Sequence, residues 1–415
     1  MDPSNPLPEY PRPQMVRKSW MNLNGLWNYA ITEAYAQSFK SEGKILVPFA
    51  VESSLSGVGR RITKNDALWY ERSFSIPKEW DGKNVLLHFG AVDWQTEVYV
   101  NDQQVGEHKG GYDPFSFDIT PYLKRSGKQT LKVKVLDATD NGFQPRGKQC
   151  IINTGIWYTP VSGIWQNVWM ENVTEHYIKK LTLTPDMENI HIKLDVDTDG
   201  FSVTLNLHNG EVIKREFDKK EGTICLSDIK LEDGSNYEPQ NWTPDNPYLY
   251  NMTITTMGDK VETYFALRTI EIKEVDGVQR VLLNKKPIFF HGVLDQGYFC
   301  DGLFLPANEE EYERDILRMK ELGFNMLRKH IKIEPEYFYY ACDKLGMLVV
   351  QDMVNSGKYS FIKDTALPTI GMRKRKERKT GIVGKRKEFF VEHTKETIEH
   401  LFNHPCIVAY TIFNE

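Results

Sequence analysis

The sequence predicts three units in succession: a β-sandwich over residues 1–175, an immunoglobulin-like β-sandwich over 176–272, and the first half of a (β/α)8 barrel over 273–415. Three observations predict it. The chain has 415 residues, which at roughly 150 residues per domain means two to three domains. Up to about residue 272 it reads as short alternating apolar runs broken by turn residues, the pattern of antiparallel sheets. Beyond that, strand-like and helix-like segments alternate four times, and each strand ends in polar groups, as in barrels whose sites lie at the C-terminal strand edge.

In chain order, NVLLHFGAVDWQTEVYVNDQQVG places Asn101-Asp102 between two strand-like runs, a hairpin signal. Leu131 to Val135 alternates with Lys132 and Lys134, so one face is buried and one wet. The stretch 176–272 holds about seven short strands in about 95 residues, the size of an immunoglobulin-like sandwich. Then Pro287 to Val293 reads as a strand and Asn308 with Glu311 as a capping box. The helix that follows carries Ile316, Leu317, Met319 and Leu322 and stops at Gly323. Phe324 to Arg328 is a strand, Pro335 to Leu345 a helix stopped by Gly346, and Met347 to Val350 a strand. After a long loop come a helix from about Lys387 to Phe402 and a strand from Ile407 to Phe413. A doubly wound nucleotide-binding sheet is the competing architecture, but HGVLDQGYFCDG lacks the G-x-G-x-x-G turn.

Composition excludes several partners. Lys and Arg total 52 against 57 Asp and Glu, a net charge of −5, so nothing global favours nucleic acid or an acidic membrane. No apolar run approaches the roughly 18 residues of a membrane span. The first fifteen residues lack the apolar core of a signal peptide, and five cysteines without CxxC or Cys/His spacing argue against a disulfide framework and a zinc site. A cytoplasmic protein without metal or organic cofactor is expected; homo-oligomerisation is left open. Residues 373–387 contain nine Lys or Arg; a solvated loop is the expected reading, rather than a nucleic-acid patch.

The chemically capable residues sit at the strand ends: Asp295 after the first, Arg328 and His330 after the second, Asp352 after the third, Asn414 and Glu415 after the fourth. Glu415 is suited to general acid and base work if its pKa is raised, or is an ordinary strand-terminal Glu. Arg328 and His330, two apart on extended chain, face the same way; they hold a ligand's carboxylate or hydroxyls, or pair structurally with Asp352. Asp295, Asp301 and Asp352 bind hydroxyls or form turns and caps. Trp157, Tyr158 and Trp165 stack on a sugar face or pack in a core.

Eight stretches, in order, resemble glycoside hydrolase family 2, the group of β-galactosidases, β-glucuronidases and β-mannosidases: SWMNLNGLWNYA, VSGIWQNVWME, PDNPYLY, ALRTIEI, LLNKKPIFFHGV, MKELGFNMLRKH, YACDKLGMLVVQD and HPCIVAYTIFNE. The resemblance implies a sugar-binding jelly roll, an immunoglobulin-like domain and a catalytic barrel acting on a carbohydrate substrate. It implies Glu415 as acid/base, Asn414 as a contact to the sugar 2-hydroxyl, and Arg328 as support for the nucleophile. His330 stands near the family's substrate-facing His, although Arg-Lys-His is one residue shorter than the usual Arg-x-x-His. Asp352 takes the place of the acidic residue after the third strand. Trp157-Tyr158 stand where well-known β-galactosidases place an Asp, which argues against galactose.

Retaining hydrolysis needs two carboxyls about 5–5.5 Å apart, and the family's nucleophile is a Glu after the seventh strand. The sequence is therefore expected to be the N-terminal part of a longer enzyme and inactive alone. A catalytically silent carbohydrate-binding protein is the alternative.

Overall fold

The computed structural model describes residues 2–357, 360–372 and 383–414. In the first sandwich a six-stranded antiparallel sheet runs, in spatial order, Gly43–Val47, Gly25–Glu33, Asp66–Phe74, Gln129–Leu136, Gln95–Val100 and Gln103–Lys109. Against it lies a four-stranded sheet of Trp20–Asn22, Val168–Val173, Asn84–Phe89 and Phe115–Asp118. Trp27, Tyr70 and Val133 of one sheet share a core with Leu87, Phe89 and Met170 of the other. The Asn101-Asp102 turn has positive φ at both residues (51° and 65°), the geometry whose twist matches a two-residue hairpin. The wet face expected at Lys134 is not wet: the side chain is 7% exposed, and its ammonium lies 5.4 Å from the Trp69 ring centroid, where the alkyl stem covers aromatic surface.

The second sandwich has seven strands in sheets of three and four, from Lys180–Pro185 to Lys260–Phe265. Its core includes Ile192, Leu205, Tyr250 and Phe265.

A hairpin, Ile270–Val275 with Val278–Leu283, leads into the barrel part. There a four-stranded parallel sheet is built from β1 (Gly292–Asp295), β2 (Met326–Lys329), β3 (Leu348–Asp352) and β4 (Ile407–Thr411), with helices α1 (Glu310–Glu321), α2 (Glu336–Leu345) and α3 (Lys385–Leu401) between them. Spatial order equals chain order. That progression winds toward a barrel, whereas a doubly wound sheet reverses its order.

Three local expectations are corrected. The strand expected at Pro287–Val293 begins only at Gly292, because the Asn325 side chain takes the ladder bonds: Nδ2 donates to Phe289 O and Oδ1 accepts from His291 N, both at 2.9 Å. The capping box does not form. Helix α1 starts at Glu310 without a side-chain cap, and Asn308 Oδ1 is buried without a partner among the described residues. On α1, Tyr312 and Ile316 are buried but Leu317 is 45% exposed, and Leu322, just past its end, is 67% exposed. By contrast Gly346 ends α2 as expected, with φ +74°; an αL residue there satisfies the last carbonyls.

The barrel part shares its core with both sandwiches: Trp165 and Tyr112 of the first and Trp242 of the second pack with Leu327, Tyr339 and Leu348. Buried Asp343 ties the second seam. It accepts from Tyr264 Oη at 2.7 Å and Cys406 N at 2.8 Å, and lies 2.7 Å from His404 Nδ1. Among the described residues no helix is long and apolar enough to cross a membrane. Of the basic run, residues 373–382 lie outside the described residues. The solvated-loop expectation fails at Arg386, which is 5% exposed in the first turn of α3 and donates to Gly142 O at 2.6 Å.

Candidate active site

Strand alternation sets the sides. On β2, Leu327 and Lys329 are buried while Met326 and Arg328 are half-buried on the other face, so Arg328 points where barrel sites form. Asp352, at the end of β3, is fully buried. Its Oδ1 accepts from Arg328 Nε at 2.8 Å and its Oδ2 lies 3.1 Å from His330 Nδ1. Burial opposes its charge, yet the bonds from His330 and Arg328 hold the carboxyl below its ordinary range. A carboxylate only accepts, so Nδ1 of His330 carries the proton in that bond.

Arg328 continues the chain of contacts to the last strand: its Nη2 donates to Asn414 Oδ1 at 3.1 Å. Two buried polar atoms in this cluster, Asn414 Nδ2 and His330 Nε2, have no partner among the described residues. Buried polar atoms of this kind call for an explanation, and a ligand hydroxyl is one. Four of the six predicted site residues thus meet through Asp352 and Arg328. Glu415 lies outside the described residues.

Asp295 belongs to a neighbouring network that sequence reasoning missed. Lys329, on the reverse face of β2, places Nζ 2.7 Å from both Asp295 Oδ2 and Glu334 Oε1. Lys332 pairs with Glu334 Oε2 at 2.8 Å and donates to Gly297 O and Phe304 O, both at 2.6 Å. Burial drives Lys332 down to about 8, against the pull of Glu334. Burial is the largest influence on Asp295 and opposes its charge, but the charge and hydrogen bond of Lys329, with the charge of Lys332 and the Gly297 backbone bond, together hold it below its ordinary range. The available signal was the density of charge after β2, where Lys329, Lys332 and Glu334 fall within six residues, interleaved with Ile331 and Ile333.

The first sandwich reaches this edge. Arg146 N and Gly147 N both donate to Asn355 O, at 3.0 and 3.1 Å, and a Cβ on Gly147 would stand 3.0 Å from Ile331 O. The Arg146 guanidinium lies 5.3 Å from the Trp157 ring centroid, and Tyr158 packs edge-on against Tyr298 at 4.9 Å. Trp165 is a core residue, fully buried and donating to Gly111 O at 2.7 Å.

Comparison with known proteins bears on the family and the fold. Residues 57–172 match the description "Glycosyl hydrolases family 2, sugar binding domain", 176–268 match "Glycosyl hydrolases family 2", and 272–415 match "Glycosyl hydrolases family 2, TIM barrel domain". The chain belongs to glycoside hydrolase family 2. Among family 2 relatives, a β-galactosidase of Thermoanaerobacter pseudethanolicus is 29% identical over 364 residues, 83% of this chain and 44% of the relative. A β-glucuronidase of Streptococcus agalactiae is 24% identical, the match covering 98% of this chain and 68% of the relative. The β-glucuronidase of an uncultured Clostridium sp. shares the fold with a TM-score of 0.76 at 21% identity, covering 97% of this chain and 68% of that one. The chain spans 31% to 44% of the length of the first three curated relatives it matches.

Proposed function

We propose that this chain carries the acid/base half of a retaining β-glycosidase site, with Glu415 as the acid/base. One observation supports this best: the Asp352–Arg328–Asn414 chain ends beside position 415 with Asn414 Nδ2 unpartnered. In this reading Asn414 Nδ2 donates to a sugar hydroxyl beside the scissile bond, and His330 Nε2 accepts a second one. Asp352 is a positioning residue, since it is fully buried and both its oxygens are engaged. Asp295 acts through Lys329 and Glu334, shaping the β2–α2 connection. Glu415 protonates the leaving oxygen while a nucleophile attacks the anomeric carbon, then deprotonates the water that releases the sugar.

The nucleophile belongs to strands that complete the barrel. Exposed Leu294 on β1 and Ile412 and Phe413 after β4 support such a continuation, because open parallel edges with apolar faces need cover. The substrate is a β-glycoside. The 415 residues alone are expected to give no turnover on aryl β-galactosides, β-glucuronides and β-mannosides; turnover abolished by Glu415→Gln overturns that. In a chain containing the completed barrel, Glu415→Gln is expected to lower kcat by about 10²–10⁴-fold, and an unchanged rate removes Glu415 from the mechanism.

A further inference from the structure

The residue after His330 has an unusual backbone. Ile331 is buried and has φ +43°. A β-branched side chain in the left-handed region is an outlier, and it persists only where its surroundings over-determine it. His330 itself is tied on two sides: its N–H donates to Asp295 O at 2.9 Å, and its Nδ1 lies 3.1 Å from Asp352 Oδ2. Its Nε2 is buried with no partner among the described residues.

The buried charges that flank Ile331 supply the constraint. Lys329 Nζ joins Asp295 Oδ2 to Glu334 Oε1, both at 2.7 Å, and Lys332 Nζ holds the other oxygen of Glu334 at 2.8 Å. Two lysines thus face two carboxylates, with Glu334 shared. The remaining N–H groups of Lys332 donate to Gly297 O and Phe304 O in the β1–α1 loop, which uses all three of its donors. Tyr312 Oη adds a bond to Glu334 Oε2 at 3.1 Å. The backbone is fixed as well: Gln351 Nε2 on β3 donates to Lys332 O at 2.8 Å, and Glu334 N donates to Tyr339 Oη at 3.2 Å. The turn after β1 seats directly on this network, since a Cβ on Gly297 would run into Glu334 Oε1.

We propose that Lys329, Lys332, Asp295 and Glu334 form a clamp that keeps Ile331 left-handed and so aims His330 Nε2 at the substrate, with Glu334 as the central positioning residue. The inference rests on the reading that His330 Nε2 accepts a sugar hydroxyl. Buried ion pairs gain little over apolar packing, whereas an exact path for the chain between β2 and α2 needs directional bonds. A small misplacement of a substrate-holding group is costly in rate.

The test uses a chain containing the completed barrel and an aryl β-glycoside that it hydrolyses, with kcat/KM measured for wild type, Glu334→Gln, His330→Ala and the double variant. Glu334→Gln keeps the shape and removes the charge that both lysines share; it is expected to lower kcat/KM by about tenfold or more. His330→Ala is expected to lower it too, and the double variant to fall no further than His330→Ala, because both changes act through one group. A general loss of folded enzyme would instead multiply with the His330→Ala loss. Multiplied losses, or an unchanged kcat/KM in Glu334→Gln, overturn the proposal. If Glu334→Gln does not fold, Tyr312→Phe removes one bond to the same carboxylate and no charge. A fall of about two- to fivefold that disappears in the His330→Ala background is then expected, and any other result overturns the proposal. Glu415→Gln, assayed alongside, separates the two readings. Turnover lost there with multiplied losses here removes the clamp and leaves the acid/base; unchanged turnover there with losses that do not multiply here removes Glu415 and leaves the clamp.

Discussion

Asp352 shows how one buried carboxylate can organise a site it need not touch. Removing it leaves Arg328 and His330 without the group that orients them, so Asp352→Ala is expected to cost about 2 kcal/mol in urea unfolding. Its folded pKa is lowered; its stabilisation is therefore present above the unfolded carboxylate range and lost as pH falls through the folded value. Glu52 behaves oppositely. Burial raises it to about 8, with Asp137 adding to the shift against the Ser162 backbone bond. Between its ordinary value and pH 8 the folded chain binds more protons than the unfolded one, so its contribution is full at low pH and lost as pH rises through 8. Glu52→Gln is expected to reduce the fall in stability between pH 5 and 8 by on the order of 2 kcal/mol; an identical pH profile in the variant counts against this. Arg328, His330, Asp352 and Asn414 were legible because each follows an apolar strand. Lys329, Lys332 and Glu334 were not, because a charge reads as solvated until its partners are known in space.

At the scale of elements, the helix stops were legible and the starts less so. Gly346 illustrates the first: φ +74° excludes most side chains, and a Cβ there would stand 2.4 Å from Pro244 O. Gly346→Ala is expected to destabilise by about 1–3 kcal/mol, seen as a lower denaturant midpoint at unchanged m-value. The strand after Pro287 was misread because a polar side chain, Asn325, competes for backbone bonds from 34 residues away in sequence. Apolar runs declare β-structure, but they do not declare which backbone groups a distant amide will claim. Leu317 and Leu322 make the complementary point: helical periodicity marks an apolar stripe, while exposure depends on whether a neighbour covers it.

At the scale of the molecule, the three-part architecture was readable from the change in periodicity, whereas the seams between parts were not. Asp343, with partners on the second sandwich and the β4 approach, is such a seam. Asp343→Ala is expected to split calorimetric unfolding into two transitions, the second sandwich separating from the barrel part; a single transition with only a lower Tm contradicts this. The other seam, the Arg146–Gly147 turn bonded to Asn355, bears on protein engineering. A chimaera joining this barrel part to a foreign N-terminal domain exchanges the backbone donors that hold Asn355, just after β3, along with the domain. The loop after β3 would then take its position from the donor of the sandwich as well as from the donor of the barrel.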